Sequence, residues 1–132
     1  MKELLTGFHH IGLPTTDMDG TIRFYESLGG QVVMEKEDAD EGRPIRVVHI
    51  LLSNLKVEVF ERLETAGKPG AFDHIAIEVS DVDAAYAQCK AMGMRFMEDG
   101  VNTSSYWPPH NLRWFIVFGV NGEKVEFAQK GQ

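Results

Sequence analysis

Apolar and polar positions change period in a fixed order along the first half of the chain, and the same order then returns. From Phe8 to Pro14 they alternate as in a half-buried strand, with Phe8, His10 and Gly12 on one face and His9, Ile11 and Leu13 on the other. Thr16 and Asp17 are capping residues, and Ile22, Tyr25 and Leu28 recur at helical spacing until Gly29 and Gly30 end the run. Val32 to Lys36 predicts a second strand, and the acidic stretch Glu37 to Pro44, with its Gly and Pro, predicts a loop. Ile45 to Leu52 is a strongly apolar third strand. Ser53-Asn54 supplies a turn, and Lys56 to Glu61 alternates again, with Glu58 and Phe60 opposite Val57 and Val59. The order is strand, helix, three strands.

Arg62 to Ala71, with Thr65, Gly67, Pro69 and Gly70, has the composition of a linker, after which the pattern restarts. Phe72 to Val79 sets His74, Ala76 and Glu78 opposite Ile75, Ile77 and Val79. Ser80 and Asp81 cap a helix from Val82 to Met92, whose Val82, Ala85, Cys89 and Met92 share a stripe before Gly93 stops it. Met94 to Met97 predicts a strand, and Asp99 to Asn111 a loop carrying Tyr106, Trp107, Pro108, Pro109 and His110. Arg113 to Phe118 and Glu123 to Gln129 are strands joined at Asn121-Gly122. FHHIGLPTTD and FDHIAIEVSD align without a gap, matching at Phe8/Phe72, His10/His74, Ile11/Ile75, Asp17/Asp81 and Asp19/Asp83, and later at Gly29/Gly93. KVEVF at Lys56 returns as KVEFA at Lys124 at a slightly larger spacing, so the second copy is longer in between. The chain therefore reads as an internal duplication: an α+β fold of two tandem βαβββ modules, about 7–62 and 71–130 with the linker 63–70, in one domain over 1–132.

A length of 132 residues suits one domain with a sufficient core, and 43% hydrophobic with 25% charged residues is ordinary for a globular chain. The formal charge of −7 argues against a nucleic-acid partner. No apolar run approaches a membrane span, and Met1 to Gly7 lacks the features of a signal peptide, so the cytoplasm is the expected compartment. The single Cys89 has no partner for an internal disulfide and reads as a buried structural thiol.

The candidate chemistry follows from parity. If each helix covers the Ile and Val face of its sheet, His10, Glu58, His74 and Glu126 project from the opposite face. Two such sheets side by side would form a cup with these four residues at its floor. Two imidazoles and two carboxylates suit a divalent first-row metal ion and leave positions open to substrate. Taken singly, each is an ordinary strand-start His or solvated strand Glu. Their recurrence in both copies favours the metal reading over a polar-floored binding groove.

The doubled βαβββ layout, the HIGL and HIAI starts, the DMDGTIRFYESLGG helix and the GVNGEKVEF ending resemble the vicinal oxygen chelate superfamily. That superfamily includes glyoxalase I, methylmalonyl-CoA epimerase, fosfomycin-modifying transferases, extradiol dioxygenases and bleomycin-resistance proteins. The resemblance covers nearly the whole chain. It implies a glyoxalase-like fold and a metalloenzyme whose ligands are His10, Glu58, His74 and Glu126, holding nickel, cobalt, zinc, manganese or iron. A complete four-ligand set fits the isomerase, epimerase and lyase branch, since the transferases and dioxygenases use three protein ligands and drug-sequestering members generally lack the set. Arg62 and ETAGKPGAFDH stand where glyoxalase I enzymes carry glutathione-recognition residues, which departs from that pattern. The similarity to methylmalonyl-CoA epimerase is closer around FDHIAIEVSDVDAAY. That family's catalytic carboxylate falls where this chain has Asp40, Glu41 and Gly42, so Glu41 is a candidate beside the plainer reading of a solvated acidic loop.

The expected reaction is a proton shift beside the carbonyl or acyl group of a small substrate. The ion would stabilise the developing enolate, and Glu126, or Glu41 from the opposite side, would move the proton. Tyr106 and Trp107 are candidates for a substrate-covering lid or for loop packing, and His110 is a further loop candidate for substrate contact. Arg113 is either a partner for an anionic substrate group or a solvated charge. His9 and His49 read as structural or surface residues. The alternatives are a transferase or dioxygenase using three of the four ligands, or a metal-free small-molecule binding protein of the drug-resistance type. A homodimer is expected from what relatives do and from exposed sheet edges.

Overall fold

In each half of the chain one helix lies against one face of a mixed sheet, and the parallel strand pair in that sheet joins the half's first strand to its last. The computed structural model describes residues 1–104 and 111–130. It divides into two units, Met1–Thr65 and Ala66–Gln132. Residues 105–110, which carry the predicted Tyr106, Trp107 and His110, lie outside the described residues.

The first unit runs β1 (Ile11–Thr15), α1 (Met18–Ser27), β2 (Gln31–Asp40), β3 (Arg43–Leu52) and β4 (Leu55–Glu61), in the sheet order β1-β4-β3-β2. β1 starts later than the alternation from Phe8 predicts. Its parallel partner β4 begins only at Leu55, where the hairpin turns, so Phe8 has no strand to pair with and is 74% exposed. β2 corrects the predicted loop over Glu37 to Pro44: the acidic stretch is strand almost to its end. The reversal takes only Glu41 and Gly42, both at positive φ (51° and 79°), the geometry of a tight hairpin turn. β2 is an edge strand exposed on both faces, so it carries charge without an apolar period.

Asp17 caps α1, its side chain accepting from the Gly20 amide at 2.9 Å. Beneath the cap, Thr15 and Thr21 are fully buried, with their hydroxyls 3.0 Å apart. The Thr21 hydroxyl donates to the Asp17 carbonyl, and Thr15 Oγ1 accepts from the Asp17 amide. This polar knot places Thr21, which apolar spacing passes over, beside Tyr25 on the buried stripe. Gly29 at φ 98° and the bond from the Gly30 amide to the Tyr25 carbonyl end the helix. Val48, Ile50, Val57 and Val59 are at most 1% exposed, in line with the predicted parity of β4.

The second unit runs β5 (His74–Glu78), α2 (Val82–Ala91), β6 (Arg95–Phe96), β7 (Asn102–Ser104), β8 (Leu112–Phe118) and β9 (Lys124–Lys130). Its sheet follows β5-β9-β8-β6, with β7 also paired to β8. Two short strands thus stand where the first unit has the single β2, and β7 falls inside the predicted loop over Asp99 to Asn111. Asp81 caps α2 through the Ala84 amide, and the Gln129 side chain bonds both the Val82 amide and the Ser80 carbonyl. The core is aromatic: Tyr86, Phe96, Phe115 and Phe127 meet at ring distances of 4.7–5.8 Å around the buried Val82, Val117 and Val125. Cys89 is buried there, and desolvation pushes its thiol up to about 11, which suits the predicted structural role. Among the described residues no helix is long and apolar enough to cross a membrane.

Candidate functional site

In the first unit the predicted ligands come together as the strand pairing dictates. β1 and β4 run parallel with Gly12 opposite Glu58, and His10 stands just before β1 on the same face. Its Nε2 lies 3.9 Å from Glu58 Oε1. Gly12 leaves this face open, since even an added methyl there would only reach the Phe60 ring. β3 brings a residue that the sequence reading set aside: His49 pairs with Glu58 across the hairpin, and its Nε2 is 2.7 Å from Glu58 Oε2. A carboxylate only accepts, so His49 Nε2 donates. His9 Nδ1 and His10 Nδ1 are 2.7 Å apart, so one of these nitrogens donates to the other. The bond from His49 holds the Glu58 carboxyl below the usual range, with help from the nearby charges of His10 and Lys36.

The second unit repeats the pair with different neighbours. His74 opens β5, and its Nε2 is 3.2 Å from Glu126 Oε2 on β9. Its Nδ1 donates to Asp73 at 3.0 Å, and Lys124 Nζ holds the same Asp73 carboxylate at 3.1 Å. That leaves the Nε2 lone pair facing Glu126, the carboxylate–imidazole arrangement that orients metal-binding histidines. Asp73 is the other residue missed from sequence; it precedes the strand, where alternation gives no direction. Glu126 is only 8% exposed, and burial pushes its carboxyl up, opposed by His74. A cavity of about 500 Å³ opens on this face, lined by apolar Met97, Leu112, Trp114 and Ile116 together with His74 and Glu126.

The remaining candidates fall elsewhere. Arg113 lies on the helix-covered face of β8, where both its terminal nitrogens bind Asp83 of α2 at 2.6 and 2.8 Å. This corrects its expected place beside substrate: Leu112, Trp114 and Ile116 take the Glu126 face, and Arg113 takes the other. Glu41 sits at the tip of the β2–β3 hairpin, eight residues along the chain from His49, in a second open cavity of about 510 Å³ with Asp40, Arg43, Arg62, Leu63 and Glu64. Within its unit it is not brought to the His10–Glu58 pair.

Two donors about 2.1 Å from an ion lie about 3.0 Å apart when at right angles and about 4.2 Å apart when opposed. The spacings of 3.2 and 3.9 Å both fall in that window. Among the described residues no three His, Cys, Asp or Glu side chains converge on one ion position, so the fit rests on the pairs.

A family model, the Glyoxalase/Bleomycin resistance protein/Dioxygenase superfamily, matches residues 7–127. An uncharacterized Bacillus subtilis protein, YwbC, is 25% identical, covering 92% of this chain and 95% of its own. Human mitochondrial methylmalonyl-CoA epimerase is 27% identical over 76% of this chain and 62% of its own length. Among solved structures, the fosfomycin resistance protein FosX of Listeria monocytogenes, complexed with Mn(II) and sulfate, superposes with a TM-score of 0.72 at 16% identity, covering 96% of this chain and 93% of that one. That likeness speaks for the fold.

Proposed function

The chain belongs to the Glyoxalase/Bleomycin resistance protein/Dioxygenase superfamily, and from that membership and its two His–Glu pairs we propose that it is a divalent-metal-dependent isomerase or epimerase. Its substrate is a small molecule with an acidic C–H beside a carbonyl or acyl group. The observation that carries this reading is the repeated pair, one imidazole and one carboxylate per module at spacings that suit a shared ion. His10 with Glu58, and His74 with Glu126, would hold the metal. When bound, a divalent ion supplies Lewis-acid stabilisation of negative charge on the substrate oxygen. Glu126 moves the proton as the general base, its carboxylate standing beside His74 on the face where the cavity opens. Asp73 keeps His74 in the tautomer that leaves Nε2 free. The cavity beside Glu126 offers the apolar side chains of Met97, Leu112, Trp114 and Ile116 to a substrate. The similarity to an epimerase supports this branch over the drug-binding one.

The test is metal content by elemental analysis of protein made without a chelating tag, followed by NMR of small carbonyl and thioester compounds in deuterated water. Near-stoichiometric metal, weakened at least about 100-fold in His10→Ala and His74→Ala, and deuterium entering beside the carbonyl are the expected results. Failure to take up nickel, cobalt, manganese, zinc or iron would overturn the reading in favour of a metal-free binding protein.

A further inference from the structure

We infer that His49 is a positioning residue that fixes one oxygen of Glu58 and leaves the other to face His10. The inference rests on the reading of Glu58 as a metal ligand and adds a residue to it. The geometry separates the two carboxylate oxygens: Oε2 is 2.7 Å from His49 Nε2, while Oε1 is the oxygen that faces His10 Nε2, at 3.9 Å. A nitrogen that donates this bond has no lone pair for an ion, so His49 acts on Glu58 and is not a further ligand. With Oε2 engaged, Glu58 presents a single oxygen, and the rotation that would turn both oxygens towards an ion is opposed. The contact is built into the sheet: His49 and Glu58 are direct partners across β3 and β4, and the tight Ser53-Asn54 reversal sets that register.

The second module shows that the fold does not need this histidine. The partner of Glu126 across β8 and β9 is Ile116, an aliphatic residue at the same sheet position. A branched apolar side chain is therefore compatible with the architecture, and a substitution at 49 can be read for its effect on Glu58.

The experiment measures manganese(II) and nickel(II) affinity by chelator competition in wild type, His49→Val, His49→Gln, Glu58→Gln and the double variant His49→Val/Glu58→Gln. Loss of an outer partner of a metal ligand typically weakens binding by about 10–100-fold, and that loss is expected for His49→Val. His49→Gln, which keeps a donor, should retain most of the affinity. In the Glu58→Gln background His49→Val should cost nothing further, a result that general destabilisation would not produce. An unchanged affinity in His49→Val, an equal loss in both backgrounds, or a loss in His49→Gln as large as in His49→Val would each overturn the inference while leaving the proposed function standing. A wild type that binds neither ion would overturn the inference, and one that also takes up no cobalt, zinc or iron would overturn the proposed function with it.

Discussion

The first module sets two imidazoles beside its carboxylate, while the second sets one imidazole and a largely apolar sheet face beside its own. Glu58 is 33% exposed, bonded to His49 and near His10, and its anion is favoured. On the same side-chain measure Glu126 is 11% exposed, pairs across the sheet with Ile116, shares a cavity with Trp114, and its anion is disfavoured by burial. The histidines differ in the same sense. His74 is oriented by a carboxylate that Lys124 holds, whereas His10 leans on a second imidazole, His9. The two modules repeat the parallel pairing of first and last strand and the His–Glu pair on it, and they differ at the neighbouring positions. On the proposed reading both carboxylates ligate, and Glu126 alone also carries the proton.

That division makes a direct comparison possible. Glu58→Gln and Glu126→Gln each remove one charged oxygen donor, so both should weaken metal binding. Measured at saturating metal, kcat for the deuterium-exchange reaction should fall further in Glu126→Gln, by about 10²–10⁴-fold, the usual worth of a positioned general base. Equal losses would mean that the modules are chemically equivalent. A smaller effect concerns the helix caps. Asp17 caps a part-buried amide, while Asp81 caps an exposed one that water can serve. Asp17→Ala should cost about 1–2 kcal/mol and Asp81→Ala about 0.5–1 kcal/mol in urea unfolding; the reverse order would contradict the burial argument.

Much of this was legible in the sequence because it depends on short-range rules. The capping residues Asp17 and Asp81, the glycine stops and the alternation around Val57 and Val59 are local properties, and the structure has them where the pattern puts them. The His49–Glu58 contact was legible as well. A two-residue turn at Ser53-Asn54 pairs Leu52 with Leu55, and counting outwards pairs His49 with Glu58. Inside the apolar run Ile45 to Leu52, a single histidine reads as a structural or surface residue, which hides the contact. Arg113 was misplaced for a similar reason, since the parity of Leu112, Trp114 and Ile116 already assigns it to the other face. Of β2 only Val32 to Lys36 was legible, because its acidic end, wet on both faces of an edge strand, has no apolar period to detect. The grip of Lys124 on Asp73 joins residues far apart in sequence and follows only once β5 is laid parallel to β9.

The parallel pairing of first and last strand also sets when each His–Glu pair can exist. The β3–β4 and β8–β9 hairpins join neighbours in sequence and can form early, whereas β1 must find β4, and β5 must find β9, across an intervening helix and further strands. Such long-range closure forms late. In each module the histidine enters with the closing strand and the glutamate stands on the hairpin, so the pair exists only once that long-range closure is made. An ion held by such pairs acts as a latch on the closed chain and has little to grip before closure. Metal should therefore slow unfolding while leaving the refolding rate nearly unchanged. Stopped-flow traces with and without a chelator would reveal this asymmetry, and an unfolding rate indifferent to metal would contradict it.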